Sequence, residues 1–274
     1  MTRRTWLFVP GADPAAHEKA ARSGADVLIL DLEDFTPPEL RPRARELSRR
    51  VFERWRAAGA VAAVRVNPLE TCGNEDLLGV LAGRPDVIMM SKVASAQQVL
   101  ALDKATGGAV ELVPNVETAA GLMNAFQIAK ASPRVAAMLV ASEDMVADLG
   151  TARSRRGHEL AYVRARFLVE CRAAGVEAID CPYTFSDVRG AVADARCAKS
   201  LGYRMKSLAD PAHARATNAV FTPSKSDLAK AGKIVAAFEK ARAAGKERAK
   251  VGGALIEVPI YAAAKRLLES AGRK

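Results

Sequence analysis

Eight short apolar runs recur along the chain, each followed by a turn and a longer amphipathic stretch. They are rich in β-branched residues and mostly continuous rather than alternating, which is typical of strands buried on both faces of a parallel sheet. The predicted strands are residues 6–9, 27–30, 61–66, 87–90, 110–113, 136–140, 176–179 and 203–208. Strand then helix, repeated eight times, predicts a (β/α)8 TIM barrel of the α/β class.

The stretches between the runs carry apolar residues at helical spacing among Ala, Leu, Arg and Glu. Clear examples are residues 38–58, 117–131, 160–174 and 186–200. After the eighth strand come a helix over 226–244, a polar loop with a Gly-Gly pair, and a helical stretch over 259–271. We therefore expect a barrel core over 1–224, followed over 225–274 by the last barrel helix and a C-terminal lid or oligomer contact.

The composition is that of an ordinary globular protein, with 50% hydrophobic residues. The length of 274 residues fits one barrel of roughly 250 residues. No apolar run is long enough to span a bilayer or to form a signal-peptide core, and the four cysteines lack CxxC spacing. We expect a cytoplasmic protein that has no membrane attachment, zinc site or disulfide framework.

The formal charge of +10 comes from Lys and Arg residues that are scattered along helix-like stretches rather than gathered in one block. This distribution argues against a nucleic-acid partner, and the excess of cations suits capture of a phosphate-bearing ligand such as a coenzyme A ester. The chain contains no GxGxxG, GxxxxGK[ST] or GxSxG motif. Dinucleotide, P-loop and serine-hydrolase chemistry are therefore disfavoured.

Polar residues stand at the predicted strand ends, where a barrel places its active site. The second strand leads into an Asp-Leu-Glu-Asp motif that contains Glu33 and Asp34, the fifth leads to Glu117, and the sixth to Asp144. Converging carboxylates repel one another unless a cation neutralises them. Because no His or Cys accompanies them, the sequence predicts Mg²⁺ or a similar hard ion, with Glu117 and Asp144 as the best pair of ligands.

Cationic and amide side chains stand at two further strand ends. Arg65 and Asn67 end the third strand, and Lys92 follows the fourth. We predict that all three bind substrate, with the planar fork of Arg65 suited to a carboxylate or a developing enolate oxygen.

Each of these predictions has a purely structural alternative. Glu117 could be an ordinary acid in the first turn of a helix, and Asp144 could be a cap or loop residue. Arg65 and Lys92 could simply form ion pairs with Glu33 or Asp34.

Several motifs, in this order and spacing, resemble the citrate lyase beta subunit-like family of HpcH/HpaI aldolases and lyases, which is related to malyl-CoA and citramalyl-CoA lyases. The motifs cover most of the chain and are Arg4–Gly11, Asp31–Asp34, Val64–Asn67, Val113–Thr118, Glu143–Asp144 with Leu149–Gly150, Phe221–Ser224 and Gly252–Pro259.

The resemblance implies a Mg²⁺-dependent barrel, with Mn²⁺ as a possible substitute, that works as a homotrimer or homohexamer. Such enzymes cleave or form citryl-, malyl- or citramalyl-type coenzyme A thioesters. By this similarity Glu117 and Asp144 are the metal ligands, and Arg65 binds the substrate carboxylate or carbonyl and stabilises the enolate. Glu33 and Asp34 lie around metal-bound water.

The chain also departs from the family pattern. After the eighth strand, relatives usually have Gly-Lys-Trp and Ile-His-Pro, where this chain has Met205–Ser207 and Ala209–Pro211. Ser91 replaces a Pro and Ala141 a Gly. Glu257 stands where malyl-thioester lyases have an Asp that reaches a neighbouring subunit's site as acid or base. We take Glu257 as the corresponding catalytic residue.

The function predicted from the sequence is a carbon–carbon lyase that acts on a 3-hydroxyacyl-CoA thioester. Two alternatives remain at this point. One is a metal-dependent aldolase on free 2-oxo acids, which coenzyme A dependence would distinguish. The other is a non-catalytic barrel that binds an acyl-CoA or dicarboxylate, which binding without product formation would identify.

Overall fold

The computed structural model describes residues 3–108 and 110–272. Eight parallel strands form a closed barrel in sequence order, and β1 closes the ring by pairing with β8. The strands are β1 (Thr5–Pro10), β2 (Val27–Asp31), β3 (Val61–Val66), β4 (Val87–Met90), β5 (Glu111–Val116), β6 (Ala137–Val140), β7 (Glu177–Asp180) and β8 (Met205–Leu208). The prediction of a TIM barrel with eight strands is confirmed.

The strands are continuous apolar runs because both of their faces are buried. Alternate residues point into the barrel, where Trp6, Ile29, Val113 and Ile179 belong to one interior cluster. The residues between them point outward and join a larger core under the helices. Each strand therefore buries apolar side chains on two sides, which is the physical basis of the pattern in the sequence.

Ten helices occur within the unit Arg3–Phe221, which also contains the barrel. They are α1 (Pro14–Ala21), α2 (Arg41–Ala57), α3 (Gly73–Val80), α4 (Ala96–Ala105), α5 (Ala119–Met123), α6 (Ala125–Lys130), α7 (Glu143–Asp148), α8 (Ala161–Ala174), α9 (Val188–Leu201) and α10 (Ala214–Phe221). The stretch predicted as one helix over residues 117–131 is divided at Asn124, where α5 ends and α6 begins. Among the described helices, none has the length and apolarity needed to cross a membrane.

A second compact unit begins at Thr222. It contains α11 (Lys225–Ala243), β9 (Ala249–Val251), β10 (Ala254–Ile256) and α12 (Val258–Gly272). The antiparallel pair β9–β10 forms a hairpin, where the sequence predicts a polar loop. Both glycines at its tip have positive φ, 57° and 82°, which suits a two-residue hairpin turn.

The last barrel helix also differs from the prediction, which places it after residue 225. In the structure α10 follows β8 and packs against β1, β8 and α9. Its Asn218 accepts a hydrogen bond from the Thr5 hydroxyl and donates one to the Gly24 carbonyl. The helix was missed because it is only eight residues long. The boundary at residue 224 stays a prediction. In the structure the chain divides into its two units between Phe221 and Thr222.

A buried ion network lies on the outward face of β7 and β8. The Nζ of Lys206 lies 2.6 Å from Asp180 Oδ2 and 2.5 Å from Asp194 Oδ2. Arg164 forms two hydrogen bonds to Asp180, of 2.8 and 2.7 Å, and one of 2.9 Å to Asp194. Two cations and two carboxylates therefore neutralise one another between the last two strands and the helices α8 and α9.

We predict that Lys206→Leu destabilises the protein strongly, because it leaves Asp180 and Asp194 with one cation between them. Breaking a buried pair costs about 3 kcal/mol or more. Urea unfolding measures the change, and Lys104→Leu, at an exposed lysine on α4, is the control. Equal unfolding midpoints for wild type and Lys206→Leu would contradict this account of the network.

Candidate active site

The centre of the site is a buried ion pair between neighbouring strand ends. Asp31 at the end of β2 is in register with Arg65 on β3. Arg65 donates from Nε to Asp31 Oδ1 and from Nη2 to Asp31 Oδ2, both at 2.6 Å. Its guanidinium also lies 4.7 Å from the centre of the Phe8 ring. The fork is therefore held in one orientation, with Nη1 turned away from Asp31.

Asp31 also organises the loop that follows β2. Its carboxylate accepts hydrogen bonds from the backbone N–H groups of Glu33 and Phe35, at 3.2 and 2.9 Å. Its carbonyl accepts a hydrogen bond from the Thr36 hydroxyl, which in turn accepts one from the Gly11 N–H. A Cβ at Gly11 would lie 2.6 Å from the Asp31 carbonyl oxygen, so this approach requires glycine.

Glu33 lies between the two cations of the site. Its Oε2 is 3.0 Å from Arg65 Nη1, and its Oε1 is 2.8 Å from Lys92 Nζ. Burial raises the pKa of Glu33 although Arg65 and Lys92 oppose that change. Lys92 has a left-handed backbone, with φ of 55°, which is rare for a residue with a side chain.

Glu117 follows β5 directly and precedes Thr118, the N-cap of α5. Its side chain is fully buried, yet neither carboxylate oxygen accepts a hydrogen bond from any described residue. Arg65 Nη1 lies 3.8 Å from Oε1, within ion-pair range but outside hydrogen-bond distance. Burial, with the charges of Glu33, Asp144 and Asp34, raises the pKa of Glu117 to about 8. Arg65 acts in the opposite direction.

Asp144 is the second residue of α7, which begins just after β6, and its side chain is half-buried. The negative charge of Asp144 contributes to the raised pKa values of both Glu117 and Lys92. The preceding Glu143 points to a different partner, because its Oε1 accepts a hydrogen bond of 2.7 Å from the Thr184 hydroxyl. Of Glu143 and Asp144, Asp144 is therefore the acid whose charge acts on the cluster.

The charges of the site do not balance. Five carboxylates interact with two cations, so the fully ionised cluster carries a net charge of −3. The carboxylates are Asp31, Glu33, Asp34, Glu117 and Asp144, and the cations are Arg65 and Lys92. A divalent cation would remove most of this excess and satisfy the unpartnered oxygens of Glu117.

Two residues of the predicted site have other surroundings. Asn67 donates its side-chain N–H groups to the Leu32 carbonyl and to Asp76 Oδ2, both at 2.8 Å, so its amide hydrogens serve the barrel. Glu257 belongs to the second unit, where its Oε1 lies 3.2 Å from Arg248 Nε. The roles assigned to Asn67 and Glu257 stay predictions.

The structural alternatives are each partly answered by these contacts. Arg65 and Lys92 do pair with Glu33, but Glu117 lies outside the first turn of α5 and has no capping contact. Asp144 lies in the first turn of α7, where no side-chain cap hydrogen bond is formed.

Sequence reasoning missed two buried residues of the site. Asp31 is not among the predicted site residues, although its register with Arg65 makes it the main partner of the guanidinium. Asn115 lies two residues before Glu117 and is fully buried. The available signal was the period of two along each strand, which puts Asn115 and Glu117 on the same face as the interior residue Val113.

Comparison with known proteins identifies the family of the chain. The family model described as HpcH/HpaI aldolase/citrate lyase matches residues 4–211. The chain belongs to this family. Citrate lyase subunit beta of Haemophilus influenzae is 34% identical over 98% of this chain and 97% of its own length. The L-malyl-CoA/beta-methylmalyl-CoA lyase of Rhodobacter capsulatus is 33% identical over 93% of this chain and 90% of its own. The prediction of a lyase of the citrate lyase beta subunit-like family is confirmed.

Solved structures of similar proteins show the same fold. The protein CitE of Mycobacterium tuberculosis, in complex with magnesium, acetoacetate and coenzyme A, has a TM-score of 0.82 at 30% identity and covers 99% of both chains. RipC of Yersinia pestis has a TM-score of 0.71 at 30% identity, over 82% of this chain and 97% of its own.

We predict that Glu117→Gln stabilises the metal-free protein at neutral and higher pH. The pKa of Glu117 is raised from 4.5 to about 8, so ionisation costs folded-state stability progressively as pH rises from 4.5 to about 8. The variant lacks that cost. Its thermal midpoint at pH 8 should exceed that of wild type by about 2 to 6 °C, with a smaller difference at pH 5. A thermal midpoint of Glu117→Gln below that of wild type at pH 8 would contradict the prediction that the ionised carboxylate destabilises the folded protein.

Proposed function

We propose that this chain is a Mg²⁺-dependent carbon–carbon lyase that cleaves or forms a 3-hydroxyacyl-CoA thioester of the citryl, malyl or citramalyl type. The observation that carries the proposal is the buried carboxylate of Glu117, which lies in an acidic cluster at the C-terminal ends of the strands and accepts no hydrogen bond from any described residue. Family membership supports it, because relatives are named for citrate lyase and for malyl-CoA lyase.

The donor set fits magnesium. Mg²⁺ prefers oxygen and usually takes one or two carboxylates, leaving its other positions to water and substrate. Among the residues that the structure describes, no group of three or more His, Cys, Asp and Glu side chains is arranged to hold a metal by itself. Glu117 and Asp144 would therefore hold the ion together with water and substrate. When bound, the ion supplies Lewis-acid stabilisation for the oxygen on which negative charge develops. Mn²⁺ is a possible substitute.

Arg65 is the electrophilic residue of the proposal. Asp31 fixes two of its nitrogens, while Nη1 lies 3.0 Å from Glu33 Oε2 and 3.8 Å from Glu117 Oε1. A substrate carboxylate or carbonyl oxygen can take the place of Glu33 at Nη1. Lys92, with 46% of its side chain exposed, can leave Glu33 and bind a second carboxylate oxygen. Asn67 completes the proposed substrate-binding set.

The proposed cleavage is a retro-aldol step. A carboxylate of the site removes the proton from the substrate hydroxyl, and a carbonyl group forms at that carbon. The adjacent carbon–carbon bond breaks, and its electron pair remains on the thioester fragment as an enolate, which takes up a proton to give the shorter acyl-CoA. Glu33 and Asp34 lie beside Arg65 and can orient the water and hold the proton that the hydroxyl releases.

Glu257 is proposed as the acid or base contributed by a second copy of the chain, within a homotrimer or homohexamer. Its carboxylate is half exposed and is held by Arg248 in the second unit. Glu has one more methylene than the Asp of related lyases. A cytoplasmic location suits the use of coenzyme A thioesters.

The first experiment is an assay over malyl-, citramalyl- and citryl-CoA and free 4-hydroxy-2-oxo acids, with and without EDTA. We expect EDTA-sensitive release of an acyl-CoA and an oxo acid from one thioester. A relative from Cereibacter sphaeroides, 34% identical, is named a malyl-CoA thioesterase, so free coenzyme A is measured separately. Release of free coenzyme A without an oxo acid would identify hydrolysis, cleavage of only the free acids would identify an aldolase, and binding without turnover would identify a binding protein.

We predict that Glu117→Ala and Asp144→Ala each lower metal-dependent kcat/KM by about a thousandfold or more, because both proposed ligands are needed to hold the ion. Circular dichroism should show an unchanged barrel. Glu46→Ala, at an exposed acid on α2, is the matched control. Retained activity in both site variants would overturn the assignment of the ligands.

We predict that Glu257→Gln lowers turnover by about a hundredfold with little change in KM, as expected for loss of a general acid or base. Glu257→Asp should recover part of the rate, because it keeps the carboxylate. Unchanged turnover in Glu257→Gln would remove this residue from the mechanism.

A further inference from the structure

Asn115 is a buried amide without partners on the inner face of the barrel. Its exposed fraction is 0%, and neither Nδ2 nor Oδ1 forms a hydrogen bond with any described residue. The backbone cannot turn away to relieve this, because the Asn115 carbonyl accepts a hydrogen bond of 2.9 Å from Val93 N–H. A buried amide without a hydrogen bond destabilises a fold, so its presence needs a reason.

This amide lies near the C-terminal end of β5, on the side of the strand that faces the barrel interior. Asn115 is in register with Leu139, and both Leu139 and Val113 belong to the interior cluster. Two residues further along the same face is Glu117, at about 7 Å between Cα atoms for two strand residues. The Asn115 amide and the Glu117 carboxylate, neither of which forms a hydrogen bond with a described residue, therefore lie on the same inward-facing side of the chain.

The chemistry of the amide selects its ligand. Nδ2 donates and Oδ1 accepts, so a group that satisfies both must accept one hydrogen bond and donate another. A carboxylate would serve only Nδ2, and a metal ion would serve only Oδ1. A hydroxyl group can do both with one oxygen, and it can replace a water molecule that does the same in the ligand-free protein.

We propose that Asn115 binds the hydroxyl group of the substrate and thereby selects hydroxy acids over their deoxy analogues. This inference rests on the proposed function, since it assigns one residue to the group whose proton leaves in the cleavage. Asn115 is the specificity-determining residue of the site, and the apolar neighbours Val113 and Leu139 offer the hydroxyl no competing partner.

Binding measurements at fixed Mg²⁺ test the proposal without any need for turnover. The probes are malate against succinate, and citrate against tricarballylate, which differ only by the hydroxyl. Wild type should bind the hydroxylated member of at least one pair about tenfold more tightly. In Asn115→Leu that ratio should fall to about one, while affinity for the deoxy member stays within about threefold.

Stability and metal affinity decide between a ligand-binding and a merely structural Asn115. Leu has a similar shape and needs no partner, so Asn115→Leu should raise the thermal midpoint of the ligand-free protein by about 2 °C. Asn67→Leu is the matched control and should lower it, because the Asn67 amide is hydrogen-bonded to Leu32 and Asp76. Mg²⁺ affinity, measured by competition with Mn²⁺, should be unchanged in Asn115→Leu.

The proposal is overturned if wild type does not distinguish either pair, if Asn115→Leu keeps the ratio, if this variant is less stable, or if it loses Mg²⁺ affinity. The last result would make Asn115 a metal ligand. A failure of the thioester assay with the binding ratios as expected would remove the proposed reaction but leave hydroxyl recognition in place. Normal thioester cleavage, with the affinity ratio of hydroxylated to deoxy ligand preserved in Asn115→Leu, would support the proposed reaction and remove hydroxyl recognition by Asn115.

Discussion

The paired hydrogen bonds between Asp31 and Arg65 are the interaction on which the rest of the site depends. They bury a charged fork between two neighbouring strand ends and fix its plane. The same aspartate accepts hydrogen bonds from the loop that carries Glu33, and the third nitrogen of Arg65, Nη1, lies beside Glu33 and Glu117. This one ion pair thus depends on the register of β2 and β3, shapes the loop after β2, and positions the guanidinium of Arg65, which we propose stabilises the enolate.

The site is built at the expense of stability. Its carboxylates exceed its cations, and neither oxygen of Glu117 accepts a hydrogen bond from a described residue. Burial, together with the neighbouring acids, raises the pKa of Glu117 to about 8. The network around Lys206 shows the opposite arrangement, because two cations and two acids neutralise one another. The second cluster holds strands and helices together. The first carries excess negative charge, which a bound metal ion would neutralise.

The fold could be read from the sequence because buried parallel strands leave continuous apolar runs, and the ends of those runs located Arg65, Glu117 and Asp144. Features that depend on register could not be read in this way. Which acid of the Asp-Leu-Glu-Asp motif meets Arg65 is decided by the pairing of β2 with β3. The hairpin β9–β10 has strands of only three residues, too short for a visible pattern. Asn115 lies beyond the predicted fifth strand, residues 110–113, and only the missing hydrogen bonds of its buried amide distinguish it.

A crystal grown with Mn²⁺ tests the central claim most directly, because the anomalous signal of manganese locates the ion. The account predicts one strong peak within about 2.5 Å of a carboxylate oxygen of both Glu117 and Asp144. It also predicts that the peak is lost in Glu117→Gln crystals. An ion bound elsewhere, or a Glu117 carboxylate that remains without a partner in the presence of saturating metal, would contradict the account.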